Sequence, residues 1–459
     1  MTHLLSSAST RELLDDAARR GMRYIAGLPE RGVAPATEAV GALAAWDTPL
    51  PDAPTDAAET LRLLDEVGSP ATMAIDGPRF FGFVMGGSLP VTVAANWLAT
   101  AWDQNTGLQT VTPATAELER IALGWLVDVL GLPPGTAGGF VTGATVANLT
   151  ALAAGRHAVL RAAGWDVEAD GLFGAPPITV VVGAEVHPTL VKSLGVLGLG
   201  RSRVVTVPVD GQGRMRADAL PGIDGPTIVC LQAGNVNTGA FDPAAEIVPR
   251  AKEAGAWVHV DGAFGIWAAA SPKLRPLMAG FSGADSWATD AHKWLNVPYD
   301  SGLAFSRDGE ALRAAMAVRA AYLPVATVRD PSDYTPELSR RSRGVEVWAA
   351  MRTLGRRGLA EMFERNCAQA RRFAEGLAAA GHEVLNEVVL NQVLVAFGDP
   401  ERTRRTIAAI QRDGTCWCGG TVWQGRTAMR ISVCSWATTD EDVEKSLAAM
   451  LRCAADTAK

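Results

Sequence analysis

The chain has 459 residues, of which 48% are hydrophobic and 20% charged, and its formal net charge at pH 7 is −7. A chain of this length can bury large cores and is typical of two or three domains. The negative charge and the lack of a basic block argue against nucleic acid as a partner. No apolar run approaches the ~18 residues that suggest a membrane span.

The N-terminal residues and the cysteines favour one cellular compartment. The opening residues, MTHLLSSASTRELLDD, lack the apolar core of a secretion signal and turn acidic early. The six cysteines are scattered, and the close pair Cys416 and Cys418 has no second Cys/His pair to complete a zinc site. We therefore predict reduced thiols, no metal site and a cytoplasmic protein.

Residues 1–75 predict an N-terminal helical arm with proline-rich breaks, which we expect to pack on a partner subunit. Residues 78–88, PRFFGFVMGGS, mix aromatic rings with glycines, so that the backbone could approach a ligand while Phe81 forms a wall. The alternative is a packed turn beneath a helix. Apolar spacing predicts helices over 89–102 and 113–130.

The stretch 138–149, GGFVTGATVANL, predicts a short strand, a turn of small residues and a helix that starts near Val146. Free amides at a helix N-terminus attract phosphate, and small side chains leave room for it. We expect the turn to be a phosphate site formed by Thr142, Gly143, Ala144 and Thr145. Many α/β proteins begin a helix in this way, so the pattern needs support from elsewhere.

β-Branched runs predict buried strands that alternate with helical segments, at 178–183, 204–209, 227–232 and 256–260. This order predicts an α/β fold with a mostly parallel sheet. His187 follows the first of these strands and could stack on a flat cofactor, although a histidine there is more often a cap. Residues 233–243 form a polar loop that contains Asn235.

The most informative pair is Asp261 and Lys293. Asp261 ends a predicted buried strand, the position at which open α/β sheets place ligand contacts. Lys293 lies in the run ADSWATDAHKWLNVPYDSG, among mostly apolar and small residues. Burial favours a neutral amine, which can form an imine with an aldehyde. Together the two residues suggest a pyridoxal phosphate (PLP) site, with a helix-start lysine and a turn aspartate as the alternative.

The C-terminal part predicts a smaller α/β domain. Residues 319–343 read as a mobile or partner-contacting loop that contains Tyr322 and Tyr334. Helices are expected at 344–354, 358–380, 402–412 and 440–453, and strands at 383–397, 415–423 and 427–433. Arg430, in the middle of the last strand, could bind a substrate carboxylate or pair with a structural acid. The predicted domains are the arm 1–75, a large domain 76–343 and a small domain 344–459.

The order of these motifs resembles the fold type I PLP enzymes, and more closely the group II amino-acid decarboxylases, which include aromatic-amino-acid and glutamate decarboxylases. The resemblance covers about residues 75–455. Its motifs are FVTGATVANLTAL, EVHPTLVKS, VHVDGAFG, DAHKWLNVPYDSG, SRRSRGVEVWAAMRTLG and MRISVCSWATT. It implies a PLP-dependent transferase-like fold and a homodimer with active sites at the interface.

The resemblance also implies roles for single residues. Lys293 would bind PLP covalently, Asp261 would pair with the protonated ring nitrogen, and His187 and Ala263 would lie against the two ring faces. The phosphate would lie at 142–145.

Further roles follow in the same way. Asn235 stands where the family often has a threonine near the cofactor, and His292 where it has a proton-handling histidine. Tyr334 is similar to the loop tyrosine that protonates the substrate carbon after carbon dioxide leaves. Asp290 departs from the pattern, since many relatives have asparagine near the phosphate, and a second anion there is unfavourable unless paired or turned away.

The predicted function is α-decarboxylation of an L-amino acid, with an aromatic or bulky apolar side chain suggested by the 13 tryptophans, 12 phenylalanines and the RFFGF stretch. One alternative is another PLP reaction on the same scaffold: transamination, carbon–carbon lysis or oxygen-dependent conversion to an aldehyde. Tyr334 favours the plain decarboxylase. The other alternative is a scaffold without PLP chemistry that serves as a partner protein.

Overall fold

Two sheets organise the chain in a computed structural model that describes residues 7–318 and 328–458, with side chains described from residue 10 onward. The strands are Ala137–Val141 (β1), Thr179–Gly183 (β2), Val205–Val207 (β3), Thr227–Gln232 (β4), Trp257–Asp261 (β5), Ser286–Asp290 (β6), Gly302–Ser306 (β7), Glu383–Val384 (β8), Gln392–Ala396 (β9), Gly419–Trp423 (β10) and Arg426–Ser432 (β11).

The helices alternate with the strands of the first sheet and frame the second. They are Ser7–Gly27 (α1), Thr37–Ala42 (α2), Ala57–Ala71 (α3), Pro90–Trp102 (α4), Pro113–Val129 (α5), Ala144–Ala162 (α6), Val167–Asp170 (α7), Pro188–Val196 (α8), Ala244–Glu253 (α9), Gly309–Met316 (α10), Gly344–Ala379 (α11), Pro400–Asp413 (α12) and Asp440–Asp456 (α13).

The first sheet has the strand order β1-β7-β6-β5-β4-β2-β3 in the described residues. The pairs from β6 through β5, β4 and β2 to β3 are parallel, whereas β7 runs antiparallel to both β1 and β6. The prediction of a mostly parallel α/β sheet is therefore confirmed. In such a sheet the parallel strands end at one edge, and the residues that follow them meet there.

Side chains of alternate strand residues face two separate cores, as the two-residue period of a strand requires. Val181 packs in one core with Leu126 of α5 and Ile247 of α9. Val182 packs in the other with Leu190 of α8 and Leu312 of α10. Helices on both faces explain why these strands read as continuous apolar runs.

Residues at the turn before α6 approach a neighbouring strand very closely. A Cβ added to Gly302, at the start of β7, would lie 2.4 Å from the Cα of Gly143. Only glycine fits at such a backbone contact. The turn that the sequence singled out is therefore pressed against the strand that follows the lysine segment.

The second sheet is antiparallel, with the order β10-β11-β9-β8 in the described residues. The helices α11, α12 and α13 pack on this sheet and contribute Phe373, Ile407 and Leu447, respectively, to its core. The predicted strand 383–397 is wrong in extent: β8 and β9 are two short antiparallel strands, because the chain turns between them through residues 385–391.

Two further predictions concern helix limits. The two helices expected at 344–354 and 358–380 are continuous in α11 except for a break at Gly355, whose φ of 58° only glycine adopts readily. The loop predicted at 319–343 falls partly on residues 319–327, including Tyr322, which lie outside the described residues. Within the described ranges, the structure has no helix that is both long and apolar enough to cross a membrane.

A fully buried ion pair fixes the segment before α11 to α5. Both guanidinium Nη atoms of Arg340 lie 2.7 Å from the carboxylate oxygens of Glu119, and the exposed fractions of the two side chains are 2% and 0%. Neither charge can regain water without unfolding of this region, so each depends on the other.

Replacing Glu119 by alanine is expected to lower the free energy of unfolding by about 3–5 kcal/mol, because the Arg340 charge is then buried without its partner. Urea denaturation at one fixed protein concentration measures the change. The matched control is Glu117→Ala, two residues away, whose pair with Arg120 is exposed and should matter little. Equal urea midpoints for the two variants would contradict the argument.

Candidate active site

Several polar residues meet at the carboxyl edge of the parallel strands. Asp261 is the last residue of β5 and Asp290 the last of β6, and Lys293 follows three residues later. The peptide N–H of Asp290 donates to the Ala263 carbonyl at 3.0 Å, which joins the two strand ends. The structure thus brings the predicted aspartate and lysine segments to one place.

Asp261 is nearly inaccessible, with 5% of its surface exposed. Its Oδ1 accepts from the Ala263 amide at 3.2 Å and its Oδ2 from the Asn148 side-chain amide at 3.2 Å. Burial raises the pKa of Asp261, while the positive fields of His187 and Lys293 and these two hydrogen bonds oppose the shift. Such a carboxylate suits a cationic ring nitrogen.

Lys293 does not lie among apolar groups, as its sequence neighbours had suggested. Its Nζ is 2.8 Å from Asp290 Oδ2, and the other oxygen of Asp290 accepts from the Ala144 amide at the start of α6. The unfavourable second anion foreseen at position 290 is therefore paired on both sides. Asp290 connects the lysine to the phosphate turn.

His292 lies beside the same carboxylate. Its Nδ1 accepts from the Ser301 amide at 3.0 Å, so a neutral ring carries its proton on Nε2, which is 3.4 Å from Asp290 Oδ1. Burial lowers the pKa of His292. Its ring stacks on Tyr299 with centroids 4.2 Å apart.

His187 caps α8 and belongs to the same cluster. Its Nδ1 accepts from the Thr189 amide at 3.3 Å, so a neutral ring carries its proton on Nε2. Burial lowers the pKa of His187; Asp261 opposes this shift, and Lys293 and Arg430 add to it. These mutual effects place His187 within electrostatic reach of the aspartate, the lysine and the arginine.

The turn at 142–145 leads into α6 as predicted, but the helix begins at Ala144 rather than near Val146. The Ala144 amide is used by Asp290 and that of Ala147 by the Gly143 carbonyl. No acceptor within the described residues satisfies the amides of Thr145 and Val146. These are the free donors that a phosphate requires.

Arg430 is half-buried, and burial lowers the pKa of its guanidinium. Among the residues that the structure describes, no carboxylate or other acceptor pairs with it. The alternative that Arg430 pairs with a structural acid therefore has no support in the described residues. A desolvated cation without an anion suits a ligand carboxylate.

Three predicted site residues have their recorded contacts elsewhere. Phe81 is fully buried in the core of the second sheet, where its ring meets Phe373 edge-on at 5.1 Å, so the structure does not bring it to the lysine. Tyr334 packs under the guanidinium of Arg329, 4.3 Å from its ring centroid. Asn235 folds back on its own loop, accepting from the amide of Asn237 at 2.9 Å.

Two exposed aromatic side chains, on segments that contact the lysine segment, were missed by sequence reasoning. Phe83 has 57% of its surface exposed. Gly86, in the same segment, packs so closely on the lysine segment that an added Cβ would lie 2.3 Å from the carbonyl oxygen of Lys293. Tyr299 is 53% exposed and stacks on His292. The sequence signal for Phe83 was its position in FFGF, two residues after Phe81. The pattern of apolar residues could not show which of the two rings faces the core.

The residues present fit PLP. The free amides of Thr145 and Val146 suit its phosphate, Lys293 can bind its aldehyde, and the buried carboxylate of Asp261 suits its protonated ring nitrogen. Ala263, bonded to Asp261, and His187 lie close enough to this carboxylate to flank a ring.

Comparison with known proteins gives consistent results. The model of the pyridoxal-dependent decarboxylase conserved domain matches residues 45–398. Tryptophan decarboxylase 1 of Oryza sativa subsp. japonica is 28% identical, over 78% of this chain and 76% of its own length. Phenylacetaldehyde synthase of Arabidopsis thaliana is 26% identical over 86% of each chain.

The fold agrees with solved structures as well. The crystal structure of Oryza sativa TDC with PLP and tryptamine has a TM-score of 0.91 to this chain, covering 98% of this chain and 99% of that one at 23% identity. At this identity the likeness establishes the fold. Since the family model spans well over half of the residues, the chain belongs to the pyridoxal-dependent decarboxylase family and is a PLP-dependent amino-acid decarboxylase.

Proposed function

We propose that the chain removes the α-carboxylate of an aromatic L-amino acid and releases the corresponding amine. The observation that carries this proposal is the arrangement at one sheet edge of the buried, hydrogen-bonded Asp261 and of Lys293, held by Asp290 at 2.8 Å. The charges of His187 and Arg430 act on the same cluster. The names of the similar rice decarboxylase and the rice structure with tryptamine support an aromatic substrate.

PLP, when bound, supplies the electron sink that accepts the bonding electrons of the departing carboxylate. In our proposal Lys293 holds the cofactor aldehyde until the substrate amine replaces it. Asp261 holds positive charge on the ring nitrogen, and the amides of Thr145 and Val146 hold the phosphate. Thr142 and the Thr145 hydroxyl border the same turn.

Arg430 orients the substrate through its carboxylate. The guanidinium is half-buried, so it can fix the carboxylate without surrounding it with bulk water. A carboxylate with few water contacts gives up little hydration free energy when it leaves as neutral carbon dioxide. The flat ring of His187 would flank the cofactor, and His292, with its Nε2 proton directed at Asp290, would help to balance the charge of that carboxylate beside the turn.

Phe83 and Tyr299 are the side chains that we assign to the substrate's aromatic ring. Both are more than half exposed, and both belong to segments in contact with the lysine turn. Large rings in such places offer apolar area and stacking to the ring of a substrate. Phe81, the residue first expected to form this wall, has no free surface.

The Lys293→Ala variant is expected to lose turnover of every substrate, because no other lysine of the described residues pairs with Asp290 and could hold the cofactor in its place. Purified protein with added PLP is assayed against a panel of L-amino acids, and products are identified by mass. Lys273→Ala, which changes an exposed lysine, is the control. PLP-dependent turnover by the Lys293 variant would overturn the mechanism.

A second candidate activity is decarboxylation coupled to oxidative deamination, favoured by the likeness to phenylacetaldehyde synthase. That reaction consumes oxygen and water and yields an aldehyde, carbon dioxide, ammonia and hydrogen peroxide. The choice depends on whether the substrate carbon is protonated promptly. We propose that Tyr334 supplies this proton, which favours the amine.

If so, Tyr334→Phe should lower the yield of amine and raise ammonia and peroxide, because the phenolic proton is lost while the ring still packs on Arg329. Carbon dioxide, ammonia and peroxide are measured in the same reaction. Tyr24→Phe, which changes a tyrosine of α1, serves as control. An unchanged product ratio in the Tyr334 variant assigns the proton to another group.

We further propose that the protein is a cytoplasmic homodimer with active sites at the interface, divided into the arm 1–75, the large domain 76–343 and the small domain 344–459. Large apolar side chains of α1, α3 and α4 are exposed in the single chain: Leu14, Met22, Leu64, Trp97, Leu98 and Trp102. Such a patch supports an interface. The six cysteines are free and buried, which suits a reducing compartment.

Leu98→Glu should convert the dimer to monomers, because a charge would then be buried at the interface. Light scattering coupled to size-exclusion chromatography reports the mass. Phe173→Glu changes a side chain that is 97% exposed on another surface and should leave the mass unaltered. A monomeric parent protein would refute the dimer.

A further inference from the structure

A buried chain of hydrogen bonds leads from the interior of the sheet to Asp261. Trp257 Nε1 donates to Ser286 Oγ at 2.9 Å, and Ser286 Oγ lies 2.9 Å from His259 Nδ1. His259 Nε2 lies 2.8 Å from Asn148 Oδ1, and Asn148 Nδ2 donates to Asp261 Oδ2 at 3.2 Å.

The fold places all five groups on one side of the sheet. Trp257, His259 and Asp261 alternate along β5, so their side chains share a face. Ser286 is paired in register with His259 on the neighbouring strand. Asn148 reaches them from α6, which lies over this face.

The two ends fix the direction of every proton in this chain. The Trp257 indole can only donate, and the ionised Asp261 carboxylate can only accept. Ser286 therefore donates to Nδ1 of a neutral His259, whose proton lies on Nε2 and faces the Asn148 carbonyl. Full burial lowers the pKa of His259 to about 3, in agreement with a neutral ring.

We propose that Asn148, oriented by His259 and Ser286, is a positioning residue that holds Asp261 ionised and aimed at the cofactor ring nitrogen. The proposal rests on the role of Asp261 in the proposed function. If the Asn148 amide were reversed, its oxygen would face the carboxylate of Asp261 and would favour protonation of that carboxylate.

Apart from the Ala263 amide, the other groups around Asp261 do not perform this task. His187, at the start of α8, and Lys293, after β6, act on the carboxylate through their electrostatic fields, and neither donates a hydrogen bond to it in the part of the chain that the structure describes. The Cys230 thiol of β4 is buried, and its pKa is raised, so it adds no charge. The described side chains include one that donates a hydrogen bond to Asp261, and it is Asn148.

The test is Asn148→Asp, which keeps the size of the side chain. At pH 8 a second carboxylate would face Asp261, and the PLP dissociation constant, measured by equilibrium dialysis, should rise about tenfold or more. Near pH 6 the new carboxyl can hold a proton and donate it to Asp261. The ratio of variant to parent dissociation constants should therefore fall as the pH falls.

A merely structural role predicts something else. Asn386→Asp changes another buried asparagine, whose amide donates to the Thr238 and Gln392 carbonyls, and serves as the matched control. Its ratio of dissociation constants should not change between pH 6 and pH 8. A ratio for Asn148→Asp that is equally independent of pH would overturn the proposal.

Two further measurements keep the test decisive. Ser286→Ala removes the hydroxyl that fixes the His259 tautomer, and should weaken PLP binding by a smaller factor even if Asn148→Asp does not fold. Asp261→Ala tests the proposed function itself. Unchanged PLP affinity in Asp261→Ala refutes the role of Asp261, whereas a loss there with parent-like affinity in both other variants refutes only the positioning by Asn148.

Discussion

The site depends on keeping a carboxylate ionised where burial opposes it. Desolvation raises the pKa of Asp261, and a protonated acid could not balance a cationic ring nitrogen. Two N–H donors and the fields of His187 and Lys293 act against this shift. The topology makes this possible, since the carboxyl ends of β5 and β6, the start of α6 and the cap of α8 meet at one edge.

The negative charge of a second carboxylate at the same edge, Asp290, is stabilised in a different way. Asp290 is paired with Lys293 on one oxygen and accepts from the Ala144 amide on the other, so its charge is balanced within the protein. This leaves the amides of Thr145 and Val146 for the phosphate.

Local patterns predicted the strands β2 to β5, the small-residue turn before α6 and the approach of the Asp261 and Lys293 segments, because burial on both faces and strand order govern all three. They could not orient the side chains of FFGF, in which Phe81 enters the core of the second sheet and Phe83 remains exposed. The reason is long-range: Phe81 forms backbone hydrogen bonds with Trp417 and Ser432, far along the chain. Asn148 escaped notice because its hydrogen-bond partners, His259 and Asp261, lie on β5, more than 100 residues further along the chain.

Long-range hydrogen bonds also explain how Arg430, on a strand of the second sheet, and Lys293, at the edge of the first sheet, keep a fixed relation. Asn296, in a left-handed turn with φ of 58°, closes the lysine loop by donating to the Trp294 carbonyl. Its side chain also donates to the Cys434 carbonyl and accepts from the Trp436 amide, just beyond β11. Because Asn296 is fully buried, these bonds are shielded from water, and the strand that carries Arg430 is attached directly to the lysine turn.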